Sequence, residues 1–164
     1  MPALILENHS QPNAATVRRA VVKDIDAITL LLQNFAAAAV LNYQNWTPRD
    51  LDRAKQRLLQ LIRTEYLVVA DTGTQLVGVI GAQRETDPWL QDRRRLRELF
   101  WWVEPRYRGT RISAQLFTQW QQDVDSYLAR GQIDEASLSL QAGELTIDLG
   151  RRGWRCVEQH WIKD

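Results

Sequence analysis

The chain has 164 residues, 45% of them hydrophobic and 25% charged, which is typical of one soluble globular domain of ordinary size. A formal net charge of +1 excludes a strong overall field that would draw the protein to nucleic acid or to a membrane surface. One cysteine and two histidines exclude an intrachain disulfide and a structural zinc site. This cysteine usage predicts a reducing, cytoplasmic compartment.

The first segment, residues 1–15, is predicted to be a flexible arm. Pro2 and Pro12 stand in it among asparagines and a serine, which is loop composition. Its short apolar start has no basic region before it, so it does not resemble a secretory signal. No apolar run in the chain approaches the roughly 20 residues that cross a bilayer. The folded domain is predicted to span residues 16–164.

The domain is predicted to open with a strand and two helices. The strand covers 16–22, and Asp24 caps a helix whose apolar residues recur at steps of three and four between Ile25 and Phe35. A second helix begins at Pro48, because Thr47 is a suitable cap and proline loses nothing in a first turn.

Three strands and a long helix follow. Strands over 66–70 and 75–82 form a hairpin around an Asp-Thr-Gly turn. A third strand covers 96–103 and is strongly apolar at its end. The long helix is predicted to end at Gly131. Its buried stripe is expected to comprise Ile112, Leu116, Trp120, Val124 and Tyr127 or Leu128.

The end of the chain predicts a short strand over 136–140, a short helix over 143–150 and a last strand over 154–162. Cys156 in that last strand is expected to be a buried structural thiol. The resulting order, β-α-α-β-β-β-α-β-α-β, predicts an α/β (α+β) fold in which helices flank a mixed central sheet in a single domain.

The most informative segment about function is VEPRYRGTRIS, residues 103–113, which joins an apolar strand to the start of the long helix. Such a junction exposes unpaired backbone N–H groups at the positive end of a helix dipole and can bind an anion. Gly109 leaves room for a phosphate, and the alternative is an ordinary turn. The side chains that could add hydroxyl groups or charge are Thr110, Ser113, Arg106, Arg108 and Arg111.

The order of elements and this segment resemble the GCN5-related N-acetyltransferases. In that family a strand ends in V-x-P-x-x-R-G, and an Arg/Gln-x-x-Gly-x-Gly/Ala turn opens the helix that holds the coenzyme A pyrophosphate. The beginning, TVRRAVVKDIDAITLLL, and the ending, LGRRGWRCVEQHWIKD with its Gly153-Trp154 pair, also resemble the family. The likeness spans 16–163. The segment WWVEPRYRGTRIS, residues 101–113, is also similar to acetyltransferase-like proteins of bacteriophages.

The resemblance implies transfer of an acetyl group from acetyl-coenzyme A, the acetyl-donor substrate, to a primary amine of a small molecule or a protein. It assigns the polarisation of the thioester carbonyl to a backbone N–H at a bulge in the fourth strand, here Trp102 or Val103. The residues that it places at the donor's phosphates are Arg108, Gly109, Thr110, Arg111, Ile112 and Ser113.

Glu98 is the first candidate for the general base. Strand alternation predicts that Glu98 shares a face with Leu96, Phe100 and Trp102, and apolar surroundings raise the pKa of a carboxyl toward neutrality. The alternative is a salt bridge to a nearby arginine, Arg95 or Arg97.

His160 is the second candidate base, because an imidazole titrates near neutral pH, and Glu158 is a weaker one. The alternative is that His160 is an ordinary surface or core residue of a terminal strand.

Two departures from the family pattern support a second function. Arg111 stands where many members have a glycine, and Leu149 stands where a tyrosine often protonates the leaving thiolate. A catalytically degenerate protein that serves as a structural or binding component, for example of a phage or other assembly, is therefore the alternative. Seven tryptophans favour it if they are exposed as contact surfaces for a protein partner or a second copy.

The acceptor side is expected near Asn45, Trp46, Trp89 and the run Arg93–Arg95, segments that flank the acceptor cleft in the family. The arginines could bind an acidic substrate or a nucleic-acid backbone, and the alternative is a solvated loop. Three arginines and a near-neutral chain argue against nucleic acid. The expected location is the cytoplasm of a bacterial or infected bacterial cell, or a virion under the alternative function.

Overall fold

In the computed structural model of the protein, the described residues are 15–38, 43–90, 92–140 and 147–157. Their helices and strands follow the predicted order as far as the fifth strand. The bounds are β1 Thr16–Arg19, α1 Ile25–Ala38, α2 Pro48–Thr64, β2 Tyr66–Asp71, β3 Leu76–Thr86, β4 Arg94–Val103, α3 Arg111–Ala129 and β5 Glu135–Ser137.

The five strands form one sheet in the order β1-β2-β3-β4-β5. The first three pairings are antiparallel, and β5 lies parallel to β4 because α3 carries the chain back across the sheet. β4 pairs with β5 only from Arg95 to Arg97, opposite Glu135–Ser137. Beyond that point no strand among the described residues pairs with this edge of β4, which stays open from Glu98 to Val103.

The helices cover both faces of the sheet, as a mixed α/β layer structure requires. On one face, Leu31 of α1 and Leu58 of α2 pack against Val69. On the other face, α3 buries its predicted stripe. Four stripe residues are buried, namely Ile112, Leu116, Trp120 and Val124. At the predicted end of the stripe, Tyr127 is half-buried against this core and Leu128 is exposed.

The predicted ends of two helices are confirmed. The Thr47 hydroxyl accepts the Asp50 N–H at 3.2 Å, and Pro48 occupies the first turn of α2. After α3, Gly131 adopts a φ of +61°, the left-handed conformation that favours glycine at a helix end.

The C-terminal part differs from the prediction. A 3-10 turn covers Gly150–Arg152 in place of the end of the predicted helix, and residues 154–157 form no strand. The Trp154 N–H donates to Leu149 O at 3.1 Å, so the chain turns back here rather than extending along the sheet. Cys156 is exposed, and its prediction as a buried thiol was wrong. The rest of the last strand lies outside the described residues, as does the predicted arm up to residue 14.

None of the helices in the described part of the chain combines the length and the apolarity that crossing a membrane requires.

The Tyr66 hydroxyl ties the start of β2 to α3 by donating to Asp123 Oδ2 at 2.7 Å, a bond whose donor is buried and whose acceptor is half-buried. We expect Tyr66→Phe to lower the free energy of unfolding by about 1 to 3 kcal/mol, because the Asp123 carboxylate loses a buried donor. Tyr43→Phe removes the same group from an exposed bond to Asp50, and we expect a change under about 0.5 kcal/mol. Urea unfolding of both variants measures the difference. Equal losses would show that the buried bond contributes no more than the exposed one.

Candidate functional site

The turn between β4 and α3 is short and open. After a 3-10 turn at Pro105–Tyr107, Thr110 caps α3 by accepting the Ile112 N–H at 3.2 Å. Gly109 has a φ of +69°, and a Cβ built there meets no atom within 4 Å. Among the described residues, none fills the position that a side chain at Gly109 would take, so a ligand can approach the turn there.

The first turn of α3 offers unused backbone donors. Within the described residues, the N–H groups of Gly109, Arg111 and Ser113 have no acceptor. The hydroxyls of Thr110 and Ser113 donate to backbone oxygens of the turn itself, at 2.6 and 2.9 Å. Unpaired N–H groups at the positive end of a long helix make a site for an anion, so backbone rather than hydroxyl groups would carry it.

The predicted phosphate residues do not all face this space. The Ile112 side chain is buried in the core and its N–H is taken by Thr110, so Ile112 stabilises the turn. Arg111 is exposed at the start of α3. The Arg108 side chain folds back over β4, where its Nε–H donates to Val103 O at 3.0 Å.

The open edge of β4 carries the backbone groups of Val103. The Glu104 N–H donates to Val77 O at 2.9 Å, toward β3. Because successive residues of a strand turn their polar groups to opposite sides, Val103 faces the open edge and Trp102 faces β3. Of the two residues predicted to offer an N–H to the ligand, only Val103 is placed to do so.

A bulge interrupts β4 at Leu99. Phe100 pairs with Gly81, whereas Glu98 pairs with the next residue, Ala82, so Leu99 is the extra residue. The bulge thus lies three residues before Trp102, and its predicted position at Trp102 or Val103 was wrong.

The same bulge corrects the predicted face of Glu98. An extra residue breaks the alternation of side chains, so Phe100 and Trp102 pack on the α1 and α2 face. Leu96 and Ala82 belong to the α3 face, and Glu98, which pairs with Ala82, lies on that side. The prediction that Glu98 shares a face with Phe100 and Trp102 was therefore wrong, and only Leu96 is on its side.

Glu98 stands where β4 and β5 separate. It is the first residue after the last β4–β5 pair, it is buried, and its Oε2 accepts the Ser139 N–H at 3.0 Å. Burial raises the pKa of Glu98 to about 7, although the Ser139 N–H and the nearby Arg97 charge oppose the rise. A carboxyl with this pKa can accept a proton at neutral pH.

The alternative of a salt bridge at Glu98 is wrong. Arg97 pairs with Glu85 at 2.9 Å, and Arg95 pairs with Glu135 and Asp87.

The other positions considered for the acid and the base are His160, Glu158 and Leu149. His160 and Glu158 lie outside the described residues. Leu149 packs its side chain against the α3 face, and a hydrocarbon side chain has no proton to give to a leaving group. Gly153 has a φ of +83° and the Trp154 indole donates to Gln121 at 2.6 Å, which places the glycine-aromatic pair against α3.

The predicted acceptor segments include a loop that ion pairs connect to β5, and one exposed tryptophan. Arg93 and Arg94 pair with Glu135 and Asp134, so the arginine run ties the β3–β4 loop to β5 and its charge is compensated. Trp46 is half-buried. Trp89 is 87% exposed and borders an open depression of about 610 Å³, at the end of β4 opposite the α3 turn.

A polar cluster that sequence reasoning missed supports the end of β4. Glu104 Oε1 accepts the Trp102 indole N–H at 3.0 Å and the Asn34 amide at 2.8 Å. It links α1 to β4 across 70 positions, and no local pattern marks such a contact.

Known proteins match this chain in fold but not in sequence. Neither a family model nor a curated protein matches the chain. Among solved structures, a predicted acetyltransferase from Clostridium acetobutylicum with acetyl-CoA has a TM-score of 0.67 at 15% identity, covering 92% of this chain and 95% of that one. A transcriptional regulator from Bacillus halodurans C-125 also scores 0.67, at 16% identity over 92% and 99% of the two chains.

An aminoglycoside acetyltransferase from an uncultured soil metagenomic sample, in complex with trehalose, has a TM-score of 0.63 at 15% identity and covers 93% and 95% of the two chains. At these identities the likeness shows the fold alone. The protein has the fold of the GCN5-related N-acetyltransferases, as its sequence predicts.

Proposed function

We propose that the protein is an acetyl-CoA-dependent N-acetyltransferase that acetylates a primary amine of a small molecule or a protein. The observation that carries the proposal is the position of the anion site. The unpaired N–H groups at the start of α3 lie at one end of the open edge of β4, and the buried Glu98 lies at the other.

The donor fits this arrangement. Its pyrophosphate would bind the N–H groups of Gly109, Arg111 and Ser113. Its pantetheine arm carries amides, which can pair with an open strand edge as a peptide does. From Val103 to Glu98 the edge is about 17 Å long at 3.3 Å per residue, so an arm laid along it ends near the bulge.

Glu98 would then perform the proton transfer. Its carboxylate removes a proton from the acceptor ammonium, and the neutral amine attacks the thioester carbonyl. The new C–N bond forms, the C–S bond breaks, and a backbone N–H at the bulge stabilises the oxyanion between these steps. The attacking nitrogen gives its second proton to solvent as the amide forms, and the leaving thiolate takes its proton from solvent, because Leu149 has none to give.

Amine-dependent release of coenzyme A tests the proposal. We expect the protein and acetyl-CoA to liberate free thiol together with an acetylated amine, with a panel of aminoglycosides, polyamines and peptides as acceptors. Aminoglycosides belong in the panel because one structure of this fold is an aminoglycoside acetyltransferase. Donor binding without turnover on any amine would contradict the catalytic part of the proposal.

The second candidate is a binding component without catalysis. It is favoured by the exposed Trp89, which the Asp87 carboxylate holds in a tight turn by accepting the N–H groups of Trp89 and Leu90, both at 2.9 Å. An exposed tryptophan on a turn with a fixed backbone is a typical anchor of a protein contact. A solved structure with this fold is also a transcriptional regulator. Retained donor binding with no turnover would support this candidate.

A further inference from the structure

Two exposed arginines on the α3 face of the sheet lack carboxylate partners. Arg19 ends β1, and Arg84 lies near the end of β3. Among the described residues, no carboxylate lies within ion-pair distance of either guanidinium. Two carboxylates of this region have other donors, because Glu65 accepts the backbone N–H of Arg84 at 2.8 Å and Asp123 accepts the Tyr66 hydroxyl. Both cations are therefore left without a counter-charge in contact.

The pair differs in this respect from the rest of the sheet. Arg18, which precedes Arg19 in β1, contacts the carboxylates of Asp24 and Asp71 at 2.7 and 2.8 Å. The arginines of β4 are each paired with a carboxylate as well. Arg19 and Arg84 are thus the arginines of the five strands whose charge no described carboxylate compensates by contact.

Two tyrosine rings hold these guanidinium groups in place. Arg19 Cζ lies 4.1 Å from the centre of the Tyr66 ring, and Arg84 Cζ lies 5.0 Å from the centre of the Tyr127 ring. Arg19 also donates to the Tyr127 hydroxyl, so both cations contact the same tyrosine. Tyr66 is buried and Tyr127 packs against the same core, which fixes both rings. A guanidinium that is stacked on a fixed ring has already lost side-chain freedom that binding would otherwise cost.

The arrangement is suited to a doubly charged anion. Two like charges beside one ring repel each other, and an anion that contacts both relieves the repulsion. Apart from the bond between Arg19 and Tyr127, neither guanidinium has an acceptor in the described part of the chain. Their planar forks can each offer two parallel N–H groups to phosphate oxygens. Two cations match the charge of a phosphate dianion, whereas a carboxylate or a phosphodiester carries one negative charge.

We infer that Arg19 and Arg84 form a binding site for a phosphate dianion, either the free ion or a phosphomonoester group. The inference does not rest on acetyl transfer. Tyr127 lies near the end of α3, and the proposed donor site lies at its start, about 24 Å away along the helix at 1.5 Å per residue.

An NMR titration of the wild-type protein with inorganic phosphate tests the site. At about pH 8 the dianion predominates, and we expect the Cζ signals of Arg19 and Arg84 to shift saturably along one binding curve. Glycerol phosphate identifies the source: equal affinity assigns the site to a monoester, and binding of inorganic phosphate alone assigns it to the free ion. Dimethyl phosphate has one negative charge and should bind roughly tenfold more weakly or less.

Variants show which side chains are responsible. Arg19→Gln and Arg84→Gln should each lower the affinity for inorganic phosphate by roughly tenfold or more, because a charge-assisted contact is lost. Arg53→Gln is the matched control, since it removes the same charge from an exposed position on α2, which covers the opposite face of the sheet. We expect its affinity to stay within about twofold of wild type. Gly109→Trp should also leave the two Cζ shifts unchanged, because it alters only the turn before α3.

Several results would overturn the site. One is that the two wild-type signals stay unmoved in millimolar phosphate or follow different curves, in which case the arginines only stabilise the fold through the tyrosines. Another is an equal loss of affinity in Arg53→Gln, because binding would then follow net charge alone. Dimethyl phosphate that binds as tightly as inorganic phosphate would overturn the assignment to a dianion. A failure of acetyl-CoA to bind would contradict the proposed function and leave this site untouched.

Discussion

Gly109→Trp is expected to abolish acetyl-CoA binding without unfolding the protein. The indole would fill the open space in front of the α3 turn, where the pyrophosphate is proposed to lie. A side chain at a φ of +69° also costs about 1 to 2 kcal/mol of backbone strain. Calorimetric titration should show no saturable heat at about 100 times the wild-type dissociation constant.

Gly131→Trp separates blockage from strain. Gly131 has a φ of +61° and, like Gly109, open space beside it, but it lies at the other end of α3. We expect a similar loss of stability and unchanged donor affinity. A folded Gly109→Trp protein that binds acetyl-CoA as wild type does would remove the proposed phosphate site.

Glu98→Gln is expected to lower kcat by about 10²- to 10⁴-fold, the usual contribution of a general base. The amide keeps the shape of the carboxyl and can still accept the Ser139 N–H, so donor affinity should be unchanged. Glu85→Gln is the control, since it makes the same change at a half-buried ion pair with Arg97, and turnover should stay within about twofold of wild type. Equal activity of both variants would show that another group is the base.

The pH dependence of activity and stability gives a second test of Glu98. Wild-type kcat/KM should rise with pH and level off above about 7, where Glu98 is ionised, and Glu98→Gln should lose this rise. The contribution of Glu98 to the free energy of unfolding should fall as pH rises over the same range. The pKa of Glu98 is raised in the folded protein from its ordinary value of 4.5, so its contribution to folding is largest below pH 4.5 and is lost as pH rises to about 7. Denaturant unfolding across this range should show a shallower pH dependence in the Gln variant.

Periodic patterns predicted the parts of the fold that local chemistry decides. The steps of three and four in α3, the cap at Thr47 and the glycine at 131 each depend on a few neighbouring residues, and each was confirmed. The turn at Gly109 belongs to the same class, because a strand end, a glycine and a helix start stand together in sequence.

The errors arose where distant strands decide the geometry. The bulge at Leu99 depends on how β4 meets β3. Residues 99–103 are all apolar, so no change of alternation marks the extra residue, and the face predicted for Glu98 relative to Phe100 and Trp102 was wrong. The bond from Asn34 to Glu104 and the packing of Arg108 on Trp102 likewise depend on the assembled sheet. Glu98 is buried as predicted, although of its three predicted apolar neighbours only Leu96 lies on its face.

The most direct test of the central claim is a calorimetric titration of the wild-type protein with acetyl-CoA, paired with thermal unfolding. A donor site at the start of α3 predicts a saturable one-to-one heat. It also predicts stabilisation of about 2.7 kcal/mol at 100 times the dissociation constant, seen as a raised midpoint. The absence of both binding heat and a shifted midpoint at millimolar acetyl-CoA would contradict the claim. That result would turn attention to Trp89 as the surface through which the protein acts.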